Sequence, residues 1–382
     1  MDENRAVMAA GRNRHQTAHS INIFQSLPPV VHISSPENGI SVHSSETAIS
    51  VVLKTPNNDA ITELKALING RPSHYSRTGL NIISAEGVQE TIHLTLNPGA
   101  NTVTVLAKNN SGWSTPVNIT LTLEMAQAAG GAQIEGESPN LYVLAVGVAD
   151  YRYDDLKLRF PAKDAGDFIN VMQKQQGRFY KKVVSKVLTN KTATLQNITA
   201  ALNWIKQVTT SHDIAMIFIS GHGMNGDDGS YYFLNYDADI NKLKETGLPG
   251  LTISQTVRSI KGKVLYFMDT CYSGNIRVTG RRDLNGAIND LSSAENGAVV
   301  FASSTGRQAS LESPEWGNGA FTKALIEAMS GRAGVDYLKL KVTVNRLDLW
   351  LSDRVSQITA GRQTPVTAKP DTIPDFTIAV MR

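Results

Sequence analysis

Cysteine is almost missing from this chain: Cys271 is the only one in 382 residues. No internal disulfide can form, and one thiol cannot build a thiolate metal cage. A lone unpaired thiol suits a reducing compartment, so a cytoplasmic location is expected. Long apolar runs are missing too. None approaches the roughly 20 residues that a membrane-spanning helix needs. The opening residues, MDENRAVMAAGRNRHQ, have no apolar centre and do not read as a secretory signal. Charge of one sign is scarce. Lys and Arg number 37 against 34 Asp and Glu, a net charge of +3 spread along the chain, which leaves no basic footprint for nucleic acid. No G-x-S-x-G occurs, which counts against a serine hydrolase of that type.

What is present centres on Val264 to Gly274, VLYFMDTCYSG. Val264 to Met268 are apolar without alternation, as in a strand buried on both faces of a parallel sheet. The run then breaks into Asp269-Thr270-Cys271-Tyr272-Ser273-Gly274. Small and polar residues after such a strand mark the carboxyl edge of an α/β sheet, where ligands bind. A second run, Ile214 to Ile219, ends the same way, in Ser220-Gly221-His222-Gly223. His222 lies 49 positions before Cys271. Neighbouring parallel strands joined by a crossover put their carboxyl ends on one edge, which brings the two together. A thiolate is the nucleophile, and an imidazole beside it activates the thiol and later protonates the leaving amine. A lone cysteine is more often a buried structural residue, and a lone histidine is more often structural or solvated. Both ending buried strands is a rarer arrangement.

These two motifs resemble the caspase–haemoglobinase fold, in which a His lies about 50 residues before the nucleophilic Cys. The match is closest to the metacaspase-like branch, which reads D-x-C-H-S-G. Here Tyr272 stands where that pattern often has His, and the animal caspase Gln-Ala-Cys is absent. The resemblance covers roughly Leu141 to the C-terminus. It implies a caspase-like αβα sandwich with a mostly parallel six-stranded sheet.

In chain order, residues 1–27 are polar and basic and read as a tail. Residues 28–124 carry short β-branched runs, among them Thr47–Leu53, Ile61–Ile68, Gln89–Leu96, Asn101–Ala107 and Val117–Leu123. Asn69-Gly70, Asn97-Pro98-Gly99 and similar turns punctuate them, which predicts an all-β sandwich. It resembles the immunoglobulin-like modules that precede caspase-like domains in some bacterial proteins. Its histidines, His32, His43, His74 and His93, lack ligand spacing. This domain is expected to serve binding or regulation, through a partner, rather than chemistry. Residues 125–139 are small and Gly-rich, a linker that would let the sandwich move. Residues 140–382 form the peptidase domain. Its predicted strands are Leu141–Val148, Lys182–Leu188, the His222 and Cys271 runs, Ala298–Ala302 and, last, Phe376–Val380. Helices are predicted over Asp164–Gln175, Thr194–Val208, Ile253–Ile260, Asn318–Met329 and Val344–Ile358. Strand–helix alternation makes this an α/β fold with a mostly parallel sheet.

Two other motifs compete for attention in the sequence. Gly221-His-Gly223-Met-Asn-Gly226 satisfies G-x-G-x-x-G after a strand, but Asp227-Asp228 follows where a phosphate-binding helix should open. Asp227, Asp228, Asp237 and Asp239 could suggest calcium, which some metacaspases use. Their spacing is not that of an EF-hand, and no metal or organic cofactor is expected.

The resemblance also implies specificity. Caspases grip a substrate Asp with an Arg before the first sheet helix and a Gln two residues before the Cys. The matching positions here are Asp164 and Asp269, and metacaspases carry acids at both. Two carboxylates in one pocket reject an acidic side chain and pair with a guanidinium, with Ser220 adding a hydroxyl. For Asp164 the plainer role is a helix N-cap. The resemblance further implies an oxyanion hole from the N–H groups of Cys271 and Gly223. The expected function is thus a cysteine endopeptidase cutting protein substrates after Arg or Lys through Cys271 and His222. The alternative is a catalytically silent caspase-like scaffold. Residues 275–296 form a long polar stretch after the nucleophile with Arg277, Arg281 and Arg282. Self-cleavage is expected there, after Arg282 first of all.

Overall fold

The computed structural model describes residues 27–124, 138–227, 229–272, 297–304, 310–331 and 341–381, with Cys271 and Tyr272 described by their backbone. The tail, the linker over 125–137 and the three candidate cleavage arginines lie outside those residues.

Residues 30–123 are all β, as their short β-branched runs require. One antiparallel sheet joins Val30–Ser35, Glu46–Lys54 and Val88–Thr95. The other carries Val117–Leu123, Gly99–Asn109, Ile61–Ile68 and Arg71–Ile82, in that order. Alternate residues of each strand, among them Ile49, Val51, Leu64, Val103, Val105 and Leu121, meet in one core. Strand Arg71–Ile82 escaped the sequence reading. It is polar, holds Pro72 and Gly79, and pairs on one side only, with Ile61–Ile68. Edge strands carry such residues because one of their faces and one row of N–H groups meet water.

From Leu141 the chain builds an α/β sheet. Its main order is Val183–Thr189, Leu141–Gly147, Ile214–Asn225, Lys263–Tyr272, Ala298–Ala302, Val366–Ala368. The first five run parallel and the sixth is antiparallel. Tyr231–Phe233 and Leu248–Pro249 extend the sheet beside the end of the His222 strand, making eight strands in all. The expected six-stranded, mostly parallel sheet is the main path. Its sixth strand differs from the prediction. Thr377–Val380 pairs with Lys341–Thr343 in a separate ribbon, and Val366–Ala368 takes the sheet edge. Three residues between Pro365 and Lys369-Pro370 carry too little periodicity to be noticed.

Helices cover both faces, because strands this apolar need covering twice. Leu195–Val208 and Gly250–Ser259 pack on one face through Ile198, Leu202, Ile205, Ile253 and Val257. Pro161–Gln173, Ala320–Met329 and Val344–Ile358 pack on the other through Phe168, Phe321 and Leu347. Among the described residues no helix is long and apolar enough to cross a membrane.

Candidate active site

The two central strands stay in register past their apolar halves. Ser220 pairs with Asp269, Gly221 with Thr270, His222 with Cys271 and Gly223 with Tyr272. Neighbouring strands lie about 4.8 Å apart. The chain therefore sets His222 and Cys271 side by side at the carboxyl edge, from positions far apart in sequence. The sequence reading ends the two apolar runs at Ile219 and Met268, before both motifs. In the structure both continue the ladder, and the motif Gly221–Gly226 opens no helix.

His222 is buried and held from two directions. Its backbone N–H donates to Tyr151 Oη at 2.8 Å, and the two rings lie 5.0 Å apart. Its Nε2 lies 2.8 Å from the carbonyl oxygen of Leu156. A carbonyl only accepts, so Nε2 carries the hydrogen. Nδ1 is then the nitrogen that can take a proton. Gly223 follows on the same strand. A Cβ there would meet the ring of Tyr231 at 2.5 Å, so only glycine fits. Tyr231 is itself fixed by donating to Thr270 Oγ1 at 3.3 Å.

Asp164 and Asp269 meet in a second cluster beside this pair. Helix Pro161–Gln173 starts three residues before Asp164, with Phe160 as its cap position. Asp164 is thus not the N-cap. The helix has no side-chain cap; Glu312, from another strand, instead holds the chain that leads into it, accepting from Arg159 N at 3.0 Å and Phe160 N at 3.3 Å. Close packing at Gly147 brings the helix onto the sheet. A Cβ there would stand 2.1 Å from the Pro161 carbonyl oxygen. Asp164 then accepts from Asn318 Nδ2 at 2.8 Å and from Gly319 N at 3.2 Å.

Asp269 accepts from Thr322 Oγ1 at 2.7 Å and from the Thr322 backbone N–H, and the hydroxyls of Ser303 and Ser310, which bond each other, also favour its ionised form. Gly319 and Thr322 belong to the start of helix Ala320–Met329, which has no side-chain cap of its own. Its exposed N–H groups and positive dipole end therefore face both carboxylates. Burial nonetheless pushes both carboxyls up. The charge of Asp269 adds to the effect on Asp164, which reaches about 8. A Cβ on Gly319 would lie 3.0 Å from Asp269 Oδ2 and 3.3 Å from Asp164 Oδ2, so the two oxygens converge on that glycine. Ser220, buried, is the register partner of Asp269.

The sequence reading missed Tyr151, Asn318, Gly319, Thr322, Ser303 and Ser310. One signal was available. Ser303-Ser304 ends the buried strand Ala298–Ala302, the same pattern that singled out His222 and Cys271. The calcium candidates are spread out. Asp237 accepts from Leu195 N and Asn235 Nδ2, and Asp239 from Tyr153 Oη and Asn241 N. Asp228 lies outside the described residues. Among the described residues no group of three or more His, Cys, Asp or Glu could hold a metal ion.

Comparison with known proteins adds the following. A curated relative, the uncharacterized protein y4kE of Sinorhizobium fredii, is 24% identical over 164 residues. The match covers 40% of this chain and 46% of that protein, so the chain spans about half the length of the curated relative it matches. Among solved structures, protein GSU0716 from Geobacter sulfurreducens is matched over all of its chain and 64% of this one, at 16% identity and a TM-score of 0.45. Pro-sf-caspase-1 is matched over 98% of its chain and 64% of this one, at 12% identity and a TM-score of 0.40. The caspase-domain family, peptidase C14, matches residues 141–376. That stretch begins at the first residue of the α/β sheet, ends just before strand Thr377–Val380 and takes in both the His222 and the Cys271 motifs, and the chain belongs to the caspase-domain family.

Proposed function

We propose that the chain is a cysteine endopeptidase that hydrolyses peptide bonds after Arg or Lys. The observation that carries this reading is the shared register of the two central strands: His222 beside Cys271, and two residues earlier Ser220 beside Asp269. Nucleophile, base and acidic pocket thus occupy one sheet edge.

In this reading Cys271 gives its proton to His222 Nδ1, and the thiolate attacks the substrate carbonyl. The Leu156 carbonyl holds the other ring nitrogen, so the imidazole is already in the tautomer that can accept. The N–H groups of Cys271 and Gly223 steady the oxyanion. His222 then protonates the leaving amine, and water hydrolyses the thioester. Substrate Arg or Lys enters between Asp164 and Asp269. The same preference supports self-cleavage after Arg277, Arg281 or Arg282, with Arg282 the first choice.

A matched set of fluorogenic peptides, differing only in the residue before the cut, tests this. Cleavage after Arg should exceed cleavage after Asp by roughly a thousandfold or more, about 4 kcal/mol in transition-state energy, because a buried carboxylate set beside the Asp164–Asp269 pair has no cation to pair with. Cys271→Ala and His222→Ala should each abolish turnover in folded protein. Faster turnover of the Asp peptide overturns the pocket assignment, and retained turnover in Cys271→Ala overturns the peptidase reading.

A further inference from the structure

The most deeply buried cation among the described residues is nowhere near the pocket. Arg71 opens strand Arg71–Ile82 of the sandwich and is 4% exposed. Its acceptors all belong to the caspase domain. Nη2 donates to the carbonyls of Val257 at 2.6 Å, Arg258 at 3.3 Å and Ile260, and Nη1 to the carbonyl of Gly297 at 3.1 Å. Val257 and Arg258 lie in the last turn of helix Gly250–Ser259. Last-turn carbonyls lack the usual in-helix donor, Val257 O being met by the C-cap N–H of Ile260 at 3.3 Å, and the dipole there favours a cation. Burial lowers the guanidinium to about 9, so it is still charged at neutral pH.

The turn that presents Arg71 is rigid. Asn69 and Gly70 have φ values of +54° and +77°, both left-handed, as in a two-residue hairpin turn. The fit around it leaves no slack. A Cβ on Gly70 would stand 2.6 Å from Ile373 Cγ1, and one on Gly297 would stand 1.8 Å from the Gly70 carbonyl oxygen. A second contact lies apart from the first: Ser211 Oγ donates to Asn97 Oδ1 at 2.8 Å. Ser211, Ile260 and Gly297 all come just before strands Ile214–Asn225, Lys263–Tyr272 and Ala298–Ala302. They mark the edge of the sheet opposite to His222 and Cys271.

We propose that this basal edge of the caspase domain is a built interaction surface, a carbonyl-lined socket for a guanidinium. Its partner is the chain's own sandwich domain, plugged in through Arg71. The two domains then act as one mechanical unit. The sandwich bears on the root of the Cys271 strand while leaving the catalytic edge uncovered. This differs from the freely moving sandwich that the linker composition suggests. It also holds whether or not the peptidase reading does.

The socket asks for a planar fork. Its four carbonyls are shared between Nη1 and Nη2, a spread that the single ammonium of Lys cannot serve. Removing the cation altogether leaves buried carbonyls without their donor, which is strongly unfavourable. The test uses full-length chain in a Cys271→Ser background, with Asn97→Cys and Ser211→Cys as reporters of docking. Oxidation with copper phenanthroline should close this interdomain disulfide rapidly when Arg71 is present. Arg71→Met should slow closure by tenfold or more, with Arg71→Lys in between. An unchanged rate in Arg71→Met overturns the proposal. Should Arg71→Met fail to fold alone, folding it with the 97–211 disulfide closed decides the matter. Recovery of native circular dichroism shows that the latch is what was lost, and no recovery in the locked protein overturns it.

Discussion

Asp164 and Asp269 converge on Gly319 with unequal support. Asp269 has the Thr322 hydroxyl and N–H together with the mutually bonded Ser303–Ser310 hydroxyl pair, whereas Asp164 has two donors, Asn318 and Gly319. The better-supported carboxylate holds the charge, and the empty pair keeps a proton near neutrality. Because the Asp164 carboxyl is raised to about 8, the protonated form prevails below that pH and is lost above it. A guanidinium prefers both carboxylates ionised and must expel the proton. The ratio of kcat/KM for an Arg peptide to that for its neutral citrulline analogue should therefore rise as pH increases through about 8. Dividing by the analogue removes the titration of Cys271 and His222, and a flat ratio would rule out a shared proton. The same raised carboxyl means that folding stability falls as pH climbs from the ordinary carboxylate range toward 8. Gly319 offers a separate test. Its φ is −61°, a value alanine adopts freely, so Gly319→Ala adds only a methyl where the two oxygens converge. We expect kcat/KM for Arg peptides to fall roughly tenfold, about 1.4 kcal/mol, mainly through KM, with labelling of Cys271 by iodoacetamide unchanged. Loss of labelling as well would mean that the glycine serves packing instead.

The walls of the proposed pocket come from elements that touch only in the folded chain. Strand Glu312–Ser313 pairs with Asn318–Gly319. Glu312 holds the lead-in to the Asp164 helix through Arg159 N and Phe160 N, and Gln363 accepts from Leu311 N at 2.7 Å while donating to the Ser303 carbonyl at 2.8 Å. One short ribbon thus ties both carboxylates to their donors. Glu312→Ala removes the acceptor of two backbone N–H groups just before that helix, a loss of about 1 kcal/mol for a typical hydrogen bond. We expect a lower melting temperature and a higher KM for Arg peptides, with kcat little changed. A variant with wild-type KM would show that the helix start keeps its place without Glu312. These relations explain what a single sequence reveals. Buried strands declare themselves by unbroken apolar runs, so the five parallel strands were readable, and so were His222 and Cys271 at their ends. Val366–Ala368 is too short for periodicity, and Arg71–Ile82 looks like loop because an edge strand is built from polar residues. Asp164 was readable by resemblance, but its partners lie more than 150 positions away. Nothing local in Asn318 or Gly319 points back to it. Arg71 gave no signal at all, since its acceptors are backbone carbonyls that any sequence supplies.

At the scale of the whole molecule, a cut at Arg277, Arg281 or Arg282 separates strands that are neighbours in the sheet. Lys263–Tyr272 stays with the N-terminal piece and Ala298–Ala302 with the C-terminal one. The two are bound along Val264↔Ala298 through Met268↔Ala302, and Ser303 N donates to the Met268 carbonyl at 2.8 Å. Leu265, Phe267, Val299 and Phe301 share one buried core, with the rings of Phe267 and Phe301 stacked at 5.2 Å. Apolar side chains so buried contribute about 1.5–3 kcal/mol each relative to exposure. The pocket is divided as well. Asp164 and Asp269 lie in the first piece, and Asn318, Gly319 and Thr322 lie in the second. Arg71 in the first piece holds Gly297, just before strand Ala298–Ala302 of the second. Cleavage should therefore leave one particle whose acidic pocket is still assembled from both pieces. We expect cleaved protein to show two bands on a denaturing gel and a single peak at the uncut size on gel filtration. That peak should keep its preference for Arg peptides. Fragments that part under native conditions would mean that the central sheet does not hold together without its covalent connection.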